Sequence, residues 1–188
     1  MNKILVIIPT YNESQNISEI ISNINNLESD YDILVVDGNS NDNTVNIVQD
    51  IISNTENIFL IKQNKKNGIG GAYIEGFSYA IENSYFKVIQ IDSDLSHDPT
   101  DIPRLIDASD DNDLVIGSRY VNGISIINWP ISRLFLSYFA NVYAKFITGM
   151  NINDCTGGFK CINIEILKKI NFDKINSQGY SFQIELNY

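Results

Sequence analysis

Three aspartates follow an apolar run in the segment VIQIDSDLSHDP, Val88 to Pro99. Asp92 and Asp94 come directly after the run, and Asp98 lies four residues further on. Grouped carboxylates cost free energy unless a positive charge lies among them, and a metal ion commonly supplies it. Carboxylate oxygens suit Mg²⁺ or Mn²⁺, which proteins often hold together with substrate phosphates. Because many acidic loops contain Asp-x-Asp, a solvated turn with Asp98 capping the next helix is the alternative.

The glycine-rich segment NGIGGAYIEGF, Asn67 to Phe77, is a second candidate site. It departs from the dinucleotide-binding fingerprint, because Tyr73 occupies the third glycine position and the segment does not follow the first strand. The start of the helix that it opens can present backbone N–H groups to a phosphate. A tight turn between strand and helix accounts for the same glycines, and we favour that interpretation.

Charged residues also follow other apolar runs. Asp37 ends DILVVD, Arg119 follows DLVIG, and Asp154 precedes the glycine pair of DCTGGF. The Asp37 carboxylate can accept hydrogen bonds from a nucleobase or cap the following segment. The Arg119 guanidinium suits a diphosphate, and a salt bridge with a nearby acid is its alternative. The only histidine, His97, adjoins the aspartates, and we expect it to form local hydrogen bonds rather than act as a base.

The last segment, GYSFQIELNY, alternates polar and apolar residues. Gln183 and Glu185 alternate with Phe182 and Ile184, which predicts that the two polar side chains share one face. The segment stops without a turn, cap or polar tail, so we expect the parent protein to continue beyond Tyr188.

Strands and helices alternate up to Tyr120. Apolar runs predict strands at Lys3–Pro9, Asp32–Asp37, Ile58–Lys62, Lys87–Asp92 and Asp113–Gly117. Apolar residues at helical spacing predict helices over 17–27, 45–52, 72–83 and 101–108 between them. This order predicts an α/β fold with a mostly parallel central sheet flanked by helices. Such sheets bind ligands at the carboxyl ends of their strands, so the polar residues there should converge.

The stretch Ile131 to Thr148 is predicted to be one further helix. Its thin polar stripe consists of Arg133, Ser137, Asn141 and Lys145, and Phe135, Phe139, Tyr143 and Phe146 cover much of the rest. A core helix and an interfacial helix facing a lipid-like acceptor or a membrane both fit this composition.

Composition excludes several classes of protein. A net charge of −10 and a pI of 4.4 argue against nucleic acid as a partner, since phosphate backbones need clustered Lys and Arg. Two cysteines outside a CxxC motif favour neither a zinc site nor a disulfide framework, and indicate a reducing compartment. The longest uncharged run is shorter than the roughly 20 apolar residues that span a bilayer.

Seven segments occur in the order found in one enzyme family. They are PTYNE (9–13), VVDGNSNDNT (35–44), NGIGGAYIEGF (67–77), IDSDLSHDP (91–99), IGSRY (116–120), NDCTGGFK (153–160) and GYSFQIE (179–185). Together they resemble family 2 inverting glycosyltransferases, most closely the polyprenol-phosphate (dolichol-phosphate) mannose synthases. Each segment alone is weakly specific, and it is their shared order that carries the resemblance. Relatives often have a second acid at the position of Gly38, which is a departure.

The resemblance implies a GT-A nucleotide-diphospho-sugar transferase fold and one catalytic domain over 1–188. Residues 1–120 would bind the nucleotide sugar, and 121–188 would form an acceptor side that is incomplete at its C-terminus. The implied nucleotide contacts are Pro9, Tyr11, Glu13, Val35, Asp37, Asp92, Ser93, Asp94 and Arg119. The implied metal ligands are Asp92, Asp94 and Ser96. The implied catalytic residues are Asp92, Asp94, Arg119 at the diphosphate, Arg133 at the acceptor phosphate, and Asp154, with Gln183 and Glu185 beside the sugar and acceptor.

The implied reaction is metal-dependent transfer of mannose from GDP-mannose to a polyprenyl or dolichyl monophosphate, with inversion. Because the acceptor oxygen is already ionised near pH 7, a strong general base is not essential. Such an enzyme would be cytoplasmic and peripheral at a membrane, where Arg133, Lys145, Lys160, Lys168 and Lys169 would offset the acidic total charge. A UDP-sugar with another acceptor is the alternative within the family, and an inactive nucleotide-binding fragment is the alternative outside it.

Overall fold

The computed structural model describes residues 3–27, 31–120 and 131–188, with the side chains of all of these except 131–136. A central sheet of six strands has the order β3-β2-β1-β4-β6-β5. The strands are β1 (Ile4–Thr10), β2 (Tyr31–Asp37), β3 (Ile58–Lys62), β4 (Lys87–Gln90), β5 (Leu114–Ile116) and β6 (Lys160–Asn163). The helices are α1 (Ile17–Asn25), α2 (Thr44–Ile52), α3 (Gly68–Glu82), α4 (Ile102–Ala108), α5 (Ile131–Thr148), α6 (Ile164–Leu167) and α7 (Tyr180–Asn187).

The sheet is mixed, with a parallel part and an antiparallel edge. The pairs β1–β2, β2–β3 and β1–β4 are parallel, whereas β6 runs antiparallel to both β4 and β5. The predicted α/β fold with a mostly parallel sheet is confirmed. Strand β6 was not predicted, because it has four residues, begins with a lysine and follows the glycine pair Gly157–Gly158.

Helices cover both faces of the sheet. In β1, Val6 and Ile8 pack with α1, α2 and α4, whereas Leu5 and Ile7 pack with α3, α6 and Phe182 of α7. Because both faces are buried, these strands are continuous apolar runs rather than alternating ones. These strands could therefore be predicted from the sequence.

Helix α7 contradicts the predicted alternation of Gln183 and Glu185. In an α-helix, residues four apart share a face, so Gln183 lies beside Asn187 and not beside Glu185. Phe182 is fully buried, and its ring stacks on Tyr73 with centroids 6.1 Å apart. Over a short segment, a few apolar residues fit a period of two as well as a helical one, which is why the prediction was wrong.

Helix α5 has the predicted bounds, and the described residues of its polar stripe, Ser137, Asn141 and Lys145, bond to the rest of the protein. Asn141 Nδ2 donates to the Asn153 carbonyl at 2.6 Å, and Asn141 Oδ1 accepts from the Cys155 N–H at 2.8 Å. On the outer face Phe139, Tyr143 and Phe146 are 64%, 68% and 85% exposed. This face is therefore not part of the core. The side chains of Arg133 and Phe135 lie outside the described residues.

Within the described ranges, no helix has both the length and the apolar character needed to cross a bilayer.

Candidate active site

A cavity of about 350 Å³ lies at the carboxyl ends of β1 and β4, between the start of α3 and α7. The residues that line it come from several parts of the chain: Pro9, Thr10, Tyr11, Glu13 and Gly38 after β1 and β2, Lys66, Gly68, Ile69 and Ala72 at α3, Asp92, Ser93 and Asp94 after β4, and Thr156, Gly158, Gly179, Tyr180 and Gln183 from the last part. The cavity therefore collects residues from most of the motifs singled out in the sequence. It lies where ligands bind in open α/β sheets.

Asp92 is oriented by its neighbours, whereas Asp94 is exposed. The Tyr73 hydroxyl donates to Asp92 Oδ1 at 3.2 Å, and His97 Nε2 lies 3.6 Å from Asp92 Oδ2. Burial and the charge of Asp92 raise the pKa of Tyr73 well above its usual value, so its hydroxyl remains a donor. Asp94 Oδ1 accepts from the backbone N–H of Ser96 at 3.0 Å. Asp92 and Asp94 both line the cavity.

The donor set fits a divalent ion held jointly with a phosphorylated ligand. Among the described residues there is no group of three or more His, Cys, Asp or Glu side chains that could hold a metal. Mg²⁺ is commonly bound through one or two carboxylates plus substrate phosphates, so Asp92 and Asp94 suffice. Ser96 contacts Asp94 through its backbone and is exposed, and its role as a ligand stays a prediction.

The predicted nucleotide residues Pro9, Tyr11 and Glu13 all line the cavity. The Tyr11 ring is 38% exposed, and Lys66 Nζ lies 3.4 Å from its centroid, a cation–π contact. Lys66 was not singled out from the sequence. Its only signal there was its place directly before the glycine segment.

Val35 and Asp37 do not line the cavity. Val35 is fully buried in the core. The Asp37 carboxylate is 1% exposed and accepts from the Ser40 N–H at 2.9 Å, the Ser40 hydroxyl at 2.6 Å and the Thr10 hydroxyl at 3.1 Å. These bonds fix the loop after β2, as the capping alternative predicts, and use acceptor sites that a nucleobase would need. Direct contact of either side chain with a nucleotide stays a prediction.

Arg119 and Asp154 form a buried ion pair beside the cavity. Arg119 Nε lies 2.7 Å from Asp154 Oδ2, and Nη2 lies 2.7 Å from Oδ1. The two side chains are 10% and 0% exposed. Burial raises the pKa of Asp154, but the Arg119 hydrogen bonds and charge outweigh it and hold that pKa below its usual value. Arg119 Nη2 also donates to Thr156 Oγ1 at 2.7 Å, and Thr156 lines the cavity.

This geometry matches the salt-bridge alternative for Arg119. Asp154 is completely buried and bonds to Arg119 and Thr156, and its predicted catalytic role stays a prediction. The contact of Arg119 with a diphosphate stays a prediction. The Arg133 side chain lies outside the described residues, so its predicted role is not addressed by the structure.

Two glycines allow close packing around the cavity. A Cβ added at Gly70 would lie 2.8 Å from the Phe182 ring, and one at Gly158 would lie 3.0 Å from Asp92 Oδ2. Gly70, inside α3, thus lets this helix pack against α7. Gly158 leaves room for the Asp92 carboxylate.

Gln183 of the cavity wall is bonded to Lys160 behind it. Gln183 lines the cavity and is 3% exposed, and its Oε1 accepts from Lys160 Nζ at 2.6 Å. Lys160 is fully buried, so the expectation that it faces a membrane surface is wrong. Burial lowers its pKa to about 7. Glu185 is not among the residues that line the cavity, and its carboxylate accepts from the Ser177 N–H at 2.9 Å.

Known proteins are similar to this chain in sequence. The family model of Glycosyl transferase family 2 matches residues 5–171. Polyprenol monophosphomannose synthase of Mycolicibacterium smegmatis is 39% identical over 98% of this chain and 70% of its own length. Undecaprenyl-phosphate mannosyltransferase of Micrococcus luteus is 36% identical over 99% of this chain and 76% of its own.

A solved structure has the same fold at lower identity. Glucosyl-3-phosphoglycerate synthase of Mycobacterium tuberculosis, in complex with Mn²⁺, UDP-glucose and phosphoglyceric acid, is 22% identical with a TM-score of 0.66. The match covers 99% of this chain and 64% of that one. The chain therefore spans a little under two thirds of the length of that enzyme.

Proposed function

The chain belongs to glycosyl transferase family 2 and is a glycosyltransferase, and from this premise we propose that it transfers mannose from GDP-mannose to a polyprenyl or dolichyl monophosphate. The carrying observation is the cavity whose lining brings Asp92 and Asp94 together with Tyr11 and Gln183. The two relatives at 39% and 36% identity, both named for mannose transfer to a polyprenyl phosphate, support the substrate class.

The bound nucleotide would run across the cavity. Tyr11 and Pro9 offer an aromatic and apolar surface for the base, and Asp92 and Asp94 would hold Mg²⁺ or Mn²⁺ at the diphosphate. The ion would supply positive charge to offset the charge that develops on the leaving nucleoside diphosphate. The Tyr73 hydroxyl keeps the Asp92 carboxylate turned towards that position. Arg119, held by Asp154, would add a second positive charge beside it.

The acceptor does not require a strong general base. A lipid monophosphate carries an ionised oxygen near pH 7, so its attack on the sugar requires orientation rather than deprotonation. Attack opposite the leaving diphosphate inverts the anomeric centre. His97 lies 3.6 Å from Asp92, and its ring stacks on Phe159 with centroids 5.2 Å apart. These contacts support the expectation that His97 has a local structural role.

We assign the outer face of α5 to contact with a membrane at its cytoplasmic side. Asn141 of the polar stripe faces the protein, whereas Phe139, Tyr143 and Phe146 project outwards. Exposed aromatic side chains of this kind insert at the lipid headgroup boundary. Replacing Phe146, which is 85% exposed, by serine should reduce co-sedimentation with phospholipid vesicles. Tyr188→Ser, which removes an aromatic ring that is 82% exposed outside α5, should leave it unchanged.

Asp94→Asn tests the nucleotide site. The variant removes one carboxylate from the exposed part of the cavity wall, so Mn²⁺-dependent GDP binding should weaken at least tenfold while the melting temperature stays within about 2 °C of wild type. Asp111→Asn, which removes the same charge from an exposed residue before β5, is the matched control and should bind as wild type does. Equal binding by all three proteins would contradict the proposed metal site.

A further inference from the structure

Lys160 is fully buried with neutral partners. Its Nζ lies 2.6 Å from Gln183 Oε1, 2.6 Å from Asn187 Oδ1 and 3.5 Å from the Gln183 carbonyl. Within the described part of the chain, no carboxylate lies at ion-pair distance from this ammonium. A buried charge without a counter-ion is costly, so such a lysine calls for an explanation beyond packing.

The ammonium fixes the orientation of two side-chain amides. A protonated lysine has three donors and no acceptor, so each amide must turn its oxygen towards it. Asn187 meets this requirement, because its Nδ2 donates to the Cys155 carbonyl at 3.0 Å on its other side. Gln183 Oε1 faces Lys160, which turns its NH₂ group away from the lysine. Gln183 also lines the cavity.

We propose that Lys160 is a positioning residue that holds the Gln183 amide with its N–H donors towards the cavity, where they bind an oxygen of the nucleotide sugar. This inference rests on the proposed function. The oxygen belongs either to a sugar hydroxyl or to the diphosphate, both of which accept hydrogen bonds. With a neutral amine at Lys160, the amide is free to rotate and to present its oxygen instead, which repels a phosphate oxygen.

The charged and titratable groups around Lys160 come from several elements. Asp154 and Asp92 favour its protonated form, as does Cys155 to a smaller extent, and burial opposes it. Gln90, directly opposite Lys160 in the β4–β6 ladder, is fully buried, and its side-chain amide has no hydrogen-bond partner among the described residues. No carboxylate among these groups contacts Nζ directly, so the two amides of α7 are what the ammonium orients.

Gln183→Glu separates positioning from stability. The carboxylate keeps the size of the side chain and accepts from Lys160, so the melting temperature should stay equal or rise, but the N–H donors towards the cavity are lost. Binding of GDP-mannose in Mn²⁺ should weaken about tenfold, the effect of one lost hydrogen bond to a charged or polar group. Weaker binding of GDP as well would assign the contact to the diphosphate, and unchanged GDP binding would assign it to the sugar.

Asn187→Asp is the matched control. It places the same new charge against the same ammonium, but Asn187 is not among the residues that line the cavity. Its affinity for GDP-mannose should stay within about twofold of wild type. Equal affinity of Gln183→Glu and Asn187→Asp for GDP-mannose would overturn the proposal.

A second measurement does not depend on nucleotide binding. In the ligand-free protein, the Gln183 side-chain amide resonance should shift as Lys160 titrates, and Lys160→Met should abolish that shift. If the chemical shift of this amide did not change between pH 6 and 9, the positioning role would be overturned. A wild-type protein that shows the shift but binds no nucleotide sugar would instead refute the proposed function.

Discussion

Replacing Asp154 by asparagine removes the charge that neutralises the buried guanidinium of Arg119. The carboxylate accepts from Arg119 at three points, with distances of 3.2, 2.7 and 2.7 Å, and from Thr156 at 3.3 Å. Asparagine keeps one acceptor oxygen, but its NH₂ group then faces an N–H donor of Arg119 with which it cannot bond. Breaking a buried pair in this way costs about 3–5 kcal/mol. For a chain of this size the expected fall in melting temperature is about 6–20 °C.

Urea unfolding followed by circular dichroism measures this cost. The pKa of Asp154 is lowered in the folded protein, so the unfolded state binds its proton first as pH falls. The contribution of the pair is therefore complete above the ordinary value of 3.8 and is lost as pH drops through the lowered pKa. The difference between wild type and variant should be largest near pH 7 and shrink in strong acid.

Glu165→Gln is the matched control for Asp154→Asn. Glu165 and Lys168 form an ion pair at 2.7 Å with side chains 64% and 45% exposed. Exposed pairs contribute about 0–1 kcal/mol, so this variant should unfold nearly as wild type does. A cost for Asp154→Asn as small as that of Glu165→Gln would refute the view that Arg119 is anchored by a buried charge.

Three further changes have defined outcomes. Gly158→Ala puts a methyl group 3.0 Å from Asp92 Oδ2, so Mn²⁺-dependent GDP binding should weaken several-fold in calorimetry with little loss of stability. Tyr73→Phe removes the bond to Asp92 Oδ1 and should cost about 1 kcal/mol in urea unfolding; an unchanged midpoint would contradict that bond. For Lys160→Met, the relevant quantity is the unfolding free energy of wild type minus that of the variant. It should rise with pH between about 7 and 10.5, by at most about 1.4 kcal/mol per pH unit, because the folded pKa is lowered and the unfolded state binds more protons there.

The fold was predictable where strands buried on both faces of the sheet appear in the sequence as continuous apolar runs. Strands β1 to β4 are apolar runs, and the bounds of α5 follow from its composition. Strand β6 was not predictable, since its lysine is buried by contacts with Gln183 and Asn187 of α7, which are 23 and 27 residues away in the sequence. Phe182 of α7 packs so closely on Gly70 that a Cβ there would lie 2.8 Å from its ring, a tertiary contact that an alternating pattern does not reveal.

The candidate site was predictable in part for the same reason. Asp92 and Asp94 follow a buried strand, and that position alone directs them to the sheet edge. The pairing of Arg119 with Asp154, 35 residues apart, depends on β5 and β6 lying side by side. Lys160 carries no local signal of burial. Its role follows from side chains that only the folded chain brings together.

The central claim is a metal-dependent nucleotide-sugar site, and calorimetry tests it most directly. GDP, UDP, GDP-mannose and UDP-glucose are titrated into the protein, each with Mn²⁺ and with EDTA. We predict that the GDP forms bind more tightly than the UDP forms and lose at least tenfold in affinity when EDTA removes the ion. A preference for the UDP forms would reassign the donor and the product. Absence of binding by all four ligands to folded protein, or binding that EDTA leaves unchanged, would contradict the claim itself.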